Sequence, residues 1–399
     1  MPDDITCKRI TIELSGRIDS SNVSLLAERI EAALDKTEEA EVMFDASGLE
    51  YISSAGLREL MKVRKRMGNT VSVIEVSAEV YEIFETTGFT ELLSVRKRLR
   101  RISVDGCEII GKGFYGTVYR LDEDTIIKVY ASPDSLPMIE NEKKMARLAF
   151  LKGIPTAISY DVVRVGDSYG AVFELLKAKT FNDLIIEQPD RIDELTDEYA
   201  RFVRLIHETR VAPGELPSAK QTYLDHLDHI HEYIGDDRYE RLKSILERTE
   251  EDTCIIHGDL QMKNVMKVDN EPMLIDMDNL SMGNPVFDLA GLYVTYRCFE
   301  EDEPGNSIDF LGIDAATEEH IWNRFMHDYF NTDDRDEIEG ITDKIRLAAS
   351  IRFLHIVTSS TLKDSETGRM RIRHTGEHID ELLERFASGS SGDLCIVLE

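Results

Sequence analysis

Apolar and polar positions alternate along Arg9-Ile-Thr-Ile-Glu-Leu14, and this period of two predicts a strand ending at Ser15-Gly16. From Ser20 to Leu34 the period changes. Val23, Leu26, Ala27, Ile30 and Leu34 fall on one helical face, behind serines suited to capping it. Val42-Met-Phe44 predicts a short strand, Ala55 to Met67 a helix, Val71 to Val76 a strand and Glu79 to Phe84 a helix. Alternation this close predicts a small α/β domain. After Val95 the pattern is different. Glu108 to Ile110 and Thr117 to Arg120 read as strands flanking a glycine-rich turn, and Ile126-Ile-Lys128-Val-Tyr130 as a third. Ile139 to Phe150 is helical, with Met145, Leu148 and Ala149 on its apolar side. Val172 to Leu176 and Leu274-Ile275 read as buried strands, whereas 300–308 and the end of the chain are polar and read as loop and terminus. The expected organisation is an α/β domain over 1–95, a basic linker over 96–102, an α+β domain over 103–388 and a tail over 389–399.

The turn itself is Gly111-Lys-Gly-Phe-Tyr-Gly116-Thr-Val118. Glycines at 111, 113 and 116 let backbone bend tightly and approach a phosphate without a side chain in the way. A strand follows the glycines, where a Rossmann dinucleotide site needs a helix. No Gly-Lys-Ser/Thr follows either, which excludes a Walker A loop. Lys128, twelve residues after Gly116, is a long cation on a rigid strand, suited to reach α- and β-phosphates. Val118 is assigned to the nucleotide with the glycines. Glu142 can pair with Lys128 and fix its direction, with Glu140 as a competitor. Glu174 and Leu176 belong to a hinge strand whose backbone would meet adenine.

His257-Gly-Asp259-Leu-Gln-Met-Lys-Asn264 and Ile275-Asp276-Met-Asp278 follow in that order. Phosphoryl transfer needs in-line positioning and positive charge more than covalent help. Asp259 is placed to orient an attacking hydroxyl and accept its proton. Asn264 and Asp276 offer oxygen ligands to magnesium. His257 reads as a packed core imidazole, and Asp278 as either a second ligand or a turn residue.

From about Ser103 to about Ser388 the chain resembles the aminoglycoside phosphotransferase and choline kinase branch of the protein-kinase-like fold. The resemblance rests on His257-Gly258-Asp259 with Asn264, on Ile275-Asp276 and on Gly283-Asn-Pro285-Val-Phe-Asp288-Leu-Ala290. It implies ATP as donor, magnesium, two lobes, and Asp288 as a support for the catalytic loop. Gly258 stands where protein kinases usually carry an arginine that reads a phosphorylated activation loop. Eleven residues separate Asp276 from Asp288, and no Ala-Pro-Glu follows. Both departures favour a small-molecule acceptor, while the glycine turn keeps a protein acceptor open.

Over about residues 5 to 95 the chain resembles a STAS domain of the anti-sigma factor antagonist type. That likeness rests on Ser15-Gly-Arg-Ile-Asp19 and on Phe44-Asp-Ala-Ser-Gly-Leu-Glu-Tyr-Ile52-Ser-Ser-Ala-Gly-Leu57. The regulatory phosphoserine of that family precedes the glycine directly, and here that position is Ala55. Ser54 is the nearest hydroxyl. It is either a regulatory site, where a phosphate would meet the free N–H groups of a helix start, or one of two capping serines.

Charge narrows the classes. The net charge is −30. Residues 1–100 carry fourteen Lys/Arg against eighteen Asp/Glu, a net −4 that leaves −26 for the remainder. Such a field disfavours nucleic acid and suits a cationic acceptor. Arg96-Lys-Arg98-Leu-Arg100-Arg101 has five basic residues in six and reads as a solvated or docked linker. No apolar run reaches the roughly 20 residues of a membrane span, and Met-Pro-Asp-Asp-Ile is not a signal peptide. With five cysteines and no C-x-x-C, reduced thiols and a cytoplasmic setting are expected. His226, His229 and His231 with Asp225 and Asp228 suggest either a metal site or a solvated helix. Tyr293, Tyr296, Trp322 and Asp380 are either acceptor-pocket residues or core. Three functions are compatible with this reading: a small-molecule kinase with a STAS module for regulation or partner docking, a kinase acting on a protein partner, and a non-catalytic scaffold. The intact Lys128, Asp259, Asn264 and Asp276 disfavour the last.

Overall fold

The computed structural model describes residues 8–34, 40–67, 71–113, 116–388 and 392–398. Readings that fall on Cys7, on Phe114 and Tyr115 of the glycine turn, and on 389–391 lie outside those residues. The chain divides into two compact units, Met1–Ser103 with Val162–Asp167, and Val104–Asp161 with Ser168–Glu399.

The first unit runs β1 (Lys8–Ile18), α1 (Val23–Leu34), β2 (Ala40–Ile52), α2 (Ser54–Met67), β3 (Val71–Val76), α3 (Ala78–Thr86) and β4 (Ser94–Lys97). Its strands form a sheet in the order β1-β2-β3-β4, each neighbouring pair parallel. Parallel neighbours need a crossover, and a helix supplies each one. Register aligns Ile12 with Phe44 and Phe44 with Val73, so one buried row crosses three strands. Leu26, Ile30, Leu57, Leu60, Val80 and Phe84 of the helices complete this core.

The second unit begins with β5 (Glu108–Lys112), β6 (Gly116–Arg120), β7 (Thr125–Tyr130) and α4 (Leu136–Leu151); β8 (Asp161–Val165) falls with the first unit apart from Asp161, and the second resumes at β9 (Ser168–Glu174). Strands β5, β6, β7 and β9 pair antiparallel in that order. Then come β10 (Lys179–Thr180), α5 (Phe181–Glu187), α6 (Ile192–Glu208), α7 (Ala219–Ile234) and α8 (Asp236–Arg248). Next come β11 (Ile255–Ile256), β12 (Val265–Val268), β13 (Glu271–Leu274) and β14 (Ser281–Met282). The helices α9 (Val286–Tyr293), α10 (Phe299–Asp302), α11 (Asn306–Leu311), α12 (Ala315–Phe330), α13 (Arg335–Ser359) and α14 (Glu366–Ser388) follow. Helix starts carry their own caps. Thr180 and Asp183 form a reciprocal capping box on α5, while Ser218, Asp314 and Asp334 cap α7, α12 and α13. In α6, Leu195, Tyr199, Phe202, Val203 and Ile206 recur at helical spacing and are buried.

Three readings need correction. Arg96 and Lys97 belong to β4, not to a linker. The Arg98 N–H donates to the Val76 carbonyl at 2.7 Å, and the Lys97 ammonium lies 4.1 Å from the Tyr81 ring centre. The charges concealed an edge strand, where long basic side chains are well tolerated. The polar stretch 300–308 forms the short helices α10 and α11. The Glu300 carboxylate organises them by accepting from the N–H groups of Gly305 at 2.8 Å and Ser307 at 2.9 Å. In the presumed tail, Leu394 and Ile396 are buried. Asn284 receives the Ile396 N–H and donates to its carbonyl, both at 3.0 Å. Among the described residues no helix is long and apolar enough to cross a membrane.

The start of α2 bears on Ser54. Ser53 is the cap, its hydroxyl facing the Gly56 N–H at 3.5 Å, and Ser54 is the first helical residue and exposed. Ser53→Ala is therefore expected to destabilise the first unit by about 0.5–1 kcal/mol, and Ser54→Ala by less than about 0.5 kcal/mol. Hydrogen exchange of β2 and α2 amides measures both, and a larger loss with Ser54→Ala would move the cap to Ser54.

Candidate active site

One row crosses the second unit's sheet: Gly111 opposite Val118, Val118 opposite Lys128, Lys128 opposite Ala171. Gly116 has no alternative, because a Cβ there would stand 2.2 Å from the Val129 carbonyl oxygen. The Gly113 N–H donates to the Gly116 carbonyl at 2.9 Å, closing the turn through backbone alone. At the far side, Glu174 ends β9 with its side chain exposed, Leu176 is half-buried, and the intervening Leu175 N–H donates to the Asp124 carbonyl at 2.7 Å.

A period of two puts Lys128 and Tyr130 on the same side of β7, and both reach one carboxylate of α4. That carboxylate is Glu142, buried, while Glu140 is exposed. The Lys128 ammonium stands 3.5 Å from each Glu142 oxygen and 2.6 Å from Asp276 Oδ1. The Tyr130 phenol donates to Glu142 Oε2. Burial pulls the Lys128 ammonium down, but Glu142 and Asp276 outweigh it and hold the group above its usual value. Burial, then Glu142, raises the Tyr130 phenol. Asp276, two residues after the end of β13, is on left-handed backbone, φ 64°, a sparsely populated conformation for a non-glycine residue. Burial, and after it the Asp276 charge, push the Asp278 carboxyl up to about 6.

The loop after β11 is held from beneath. Asp288, on α9 and 1% exposed, accepts from the His257 N–H and the Gly258 N–H, both at 2.7 Å, and from His207 Nε2 at 3.1 Å. Burial raises this carboxyl, but the hydrogen bond and charge of His207, with the other donors, bring it below the ordinary value. His207 of α6 is itself fully buried, with Nδ1 2.6 Å from the Tyr329 hydroxyl of α12. His257 is buried too. Its Nε2 lies 3.2 Å from the Ile275 carbonyl, which can only accept, so Nε2 carries the proton. Nδ1 then accepts from the Asp259 N–H at 3.3 Å. This imidazole joins the loop to the backbone just before Asp276. Gly258 has φ 83°, and a Cβ on it would meet the Asn279 carbonyl oxygen at 2.6 Å.

Asp259 Oδ2 accepts from Asn264 Nδ2 at 2.9 Å and Gln261 Nε2 at 3.1 Å, and Asn264 Nδ2 also reaches the Asp259 carbonyl at 2.8 Å. On the other side, Arg352 Nη2 of α13 stands 3.6 Å from Asp259 Oδ1. The structure thus brings together Lys128, Glu142 and Asp276, and separately Asp259 and Asn264. It adds Tyr130, Gln261, His207, Tyr329 and Arg352, which the sequence reading missed. Tyr130 was legible as the residue two after Lys128 on the same strand. His207, Tyr329 and Arg352 come from distant helices without a local signature.

Other candidates are not assembled. Among the described residues no group of three His, Cys, Asp or Glu side chains is placed to hold a metal ion. His231 stacks on Tyr239 at 3.8 Å and pairs with Asp236, whereas His226 and His229 turn towards His355. Tyr293, Tyr296 and Trp322 are buried core residues, and Asp380 pairs with Arg238 at 2.7 Å.

Comparison with known proteins follows the same division. Residues 106–318 match the family model for the phosphotransferase enzyme family, and residues 2–94 that for the Mlab STAS domain. A curated protein of Bordetella bronchiseptica, BtrV, named as an anti-sigma factor antagonist, is 37% identical over 79 residues, covering 19% of this chain and 67% of its own. Among solved structures, a thermostable mutant of aminoglycoside phosphotransferase APH(4)-Ia aligns over 71% of this chain and 95% of its own, with 13% identity and a TM-score of 0.49. A choline/ethanolamine kinase family protein from Mesorhizobium loti aligns over 70% and 88%, with 15% identity and a TM-score of 0.46.

The geometry around Asp288 yields a stability prediction. An amide in its place presents one acceptor and one donor to donors on every side. Asp288→Asn is expected to cost about 3 kcal/mol, read by urea unfolding of the second unit. Wild-type stability in this variant would mean that the carboxylate does not hold the loop.

Proposed function

From the premise that the chain belongs to the phosphotransferase enzyme family and carries a STAS domain ahead of its catalytic part, we propose an ATP-dependent kinase that transfers the γ-phosphoryl group of Mg-ATP to a hydroxyl of a small molecule. The observation that carries this reading is the Lys128 ammonium, held by Glu142 of α4 and in contact with Asp276. A cation fixed on a strand and a carboxylate at a strand end converge, as gripping phosphates demands.

The roles follow from the contacts. Lys128 binds the α- and β-phosphates, and Glu142 and Tyr130 hold it in place. Gly111, Gly113 and Gly116, with Val118, form the cover over the nucleotide, and the backbone from Glu174 to Leu176 meets the base. Asp259 orients the acceptor hydroxyl and takes its proton, with Asn264 and Gln261 fixing the carboxylate rotamer.

Asp276 and Asn264 fit a magnesium ion. The Asn264 amide nitrogen is engaged with Asp259, which leaves its oxygen as a donor atom. Asp276 is 38% exposed and stands beside Asp278, whose charged form is disfavoured by burial and by Asp276, an arrangement that a cation relieves. Magnesium takes only one or two protein carboxylates beside phosphate oxygens, so a larger cluster is not required. When bound, the ion supplies positive charge to the phosphoryl oxygens.

The eleven residues between Asp276 and Asp288 leave little room for a peptide-docking segment, which favours a small acceptor. The STAS module, similar to an anti-sigma factor antagonist, is assigned to regulation or to docking a protein partner, because every residue given a chemical role lies in the second unit.

Asp276→Ala is expected to weaken Mg-ATP binding and abolish turnover while the melting temperature holds. Asp259→Asn should keep ATP affinity and lose turnover roughly 100-fold or more. Calorimetry with Mg-ATP and ADP release measure these. Undiminished turnover in Asp259→Asn would end the assignment of the base.

A further inference from the structure

We infer that the acceptor of this kinase carries an anionic group beside its hydroxyl, and that Arg352 binds that group with help from His226 and His355. The inference rests on the phosphotransferase reading above and names its substrate class. Arg352 leaves α13 with its side chain only 19% exposed, and its Nη2 stands 3.6 Å from Asp259 Oδ1. The guanidinium packs over Gly291 of α9, where a Cβ would lie 3.6 Å from Cζ. One helical turn onward, His355 lies on the same face of α13. From α7, His226 stacks on His355 at 3.9 Å between ring centres, and His229 meets it edge-on at 4.9 Å. Tyr223, on the same face of α7 as His226, interacts with the guanidinium and donates its hydroxyl to the Phe287 carbonyl.

Two features of this cluster point to a ligand. Nδ1 of His226 and Nδ1 of His355 are both buried and have no hydrogen-bond partner. Orphaned polar atoms of this kind cost about 1–3 kcal/mol each, and a bound molecule that pairs with them removes the cost. The second feature is the poorly matched guanidinium. It has five donors in a planar fork, and its contact with Asp259 is long and single. A carboxylate or phosphate on the acceptor is the natural bidentate partner. Its hydroxyl would then be delivered to the carboxylate that Arg352 touches.

The imidazoles are poised for the same event. Burial, then His355, Arg352 and His229, bring His226 down to about 3, and burial with His229 and Arg352 lowers His355. The charged and titratable groups facing the pair are Arg352, His229 and Tyr223. An arriving anion opposes these effects and favours proton uptake by the rings. The net charge of −30 would by itself suit a cationic acceptor. Beyond about 8–10 Å that field is screened, whereas Arg352 acts at contact distance.

The test uses the full-length enzyme with Mg-ATP and paired acceptors, D-glycerate against glycerol and L-serine against L-serinamide, with ADP release and histidine ring NMR as readouts. The acid of each pair is expected to be preferred. Arg352→Gln should lower kcat/KM for the acids about 30-fold more than for their neutral or cationic counterparts, whose smaller loss reflects the contact with Asp259, with Arg352→Lys recovering part of the excess. The acids, and not their counterparts, should shift the His226 and His355 ring signals. Equal losses for both members of a pair, or no ring shift with any acid at millimolar concentration, overturn the inference and leave Arg352 as a residue that only orients Asp259. Ring shifts with the acids but no ADP release from any pair would uphold the anion site and count against the kinase reading.

Discussion

Burying an ionised carboxylate is costly unless donors surround it, and Asp288 is 1% exposed. Two backbone N–H groups and one imidazole supply those donors. The rest of the site is referenced to this point. The same carboxylate that fixes the N–H of His257 fixes that of Gly258, and so sets where Asp259 begins. His257 passes the constraint to the Ile275 carbonyl, after which the chain turns through Asp276 towards Lys128 and Glu142. In the other direction His207 and Tyr329 tie the carboxylate to α6 and α12. Asp259 and Asp276 are thus both placed by one electrostatic anchor that touches neither.

The local part of this architecture could be read from the chain. Strands and helices of the first unit follow apolar periodicity, and β7 was recognisable from the alternation that also sets Lys128 apart from its apolar neighbours. Glu142 and Glu140 differ by half a helical turn, and only packing distinguishes them. Elements without apolar periodicity were missed. β4 is disguised by basic residues, and α10 and α11 are organised by a carboxylate that caps backbone, not by a buried face. Leu394 and Ile396 lie in a stretch too short to show any period, although both are in the core. Arg352 lies on α13, whose central residues are buried nearly all round, and His207 on the amphipathic α6, and their relation to Asp259 and Asp288 exists only once both helices are packed.

Formal charge is equally a poor guide to the interior of this site. The chain is strongly acidic, yet Asp276 and Asp259 each have a fixed cation beside them. Lys128 neutralises the carboxylates on one side, and Arg352 stands beside Asp259 on the other. Diffuse surface charge governs solubility and encounter, whereas these cations act over a few ångströms in partly desolvated surroundings, where each interaction is stronger. Asp259 and Asp276 are kept apart in environment by having different counter-ions.

The glycine between His257 and Asp259 has an evolutionary consequence. One base change in a glycine codon can install arginine, so the route to a protein-kinase-like loop is short in genetic terms. In structural terms it is closed. A side chain at 258 would run into the Asn279 carbonyl from backbone that already sits at positive φ. Asn279 and the loop around it would have to move first, a change of no use by itself. The single genetic step is therefore blocked by backbone.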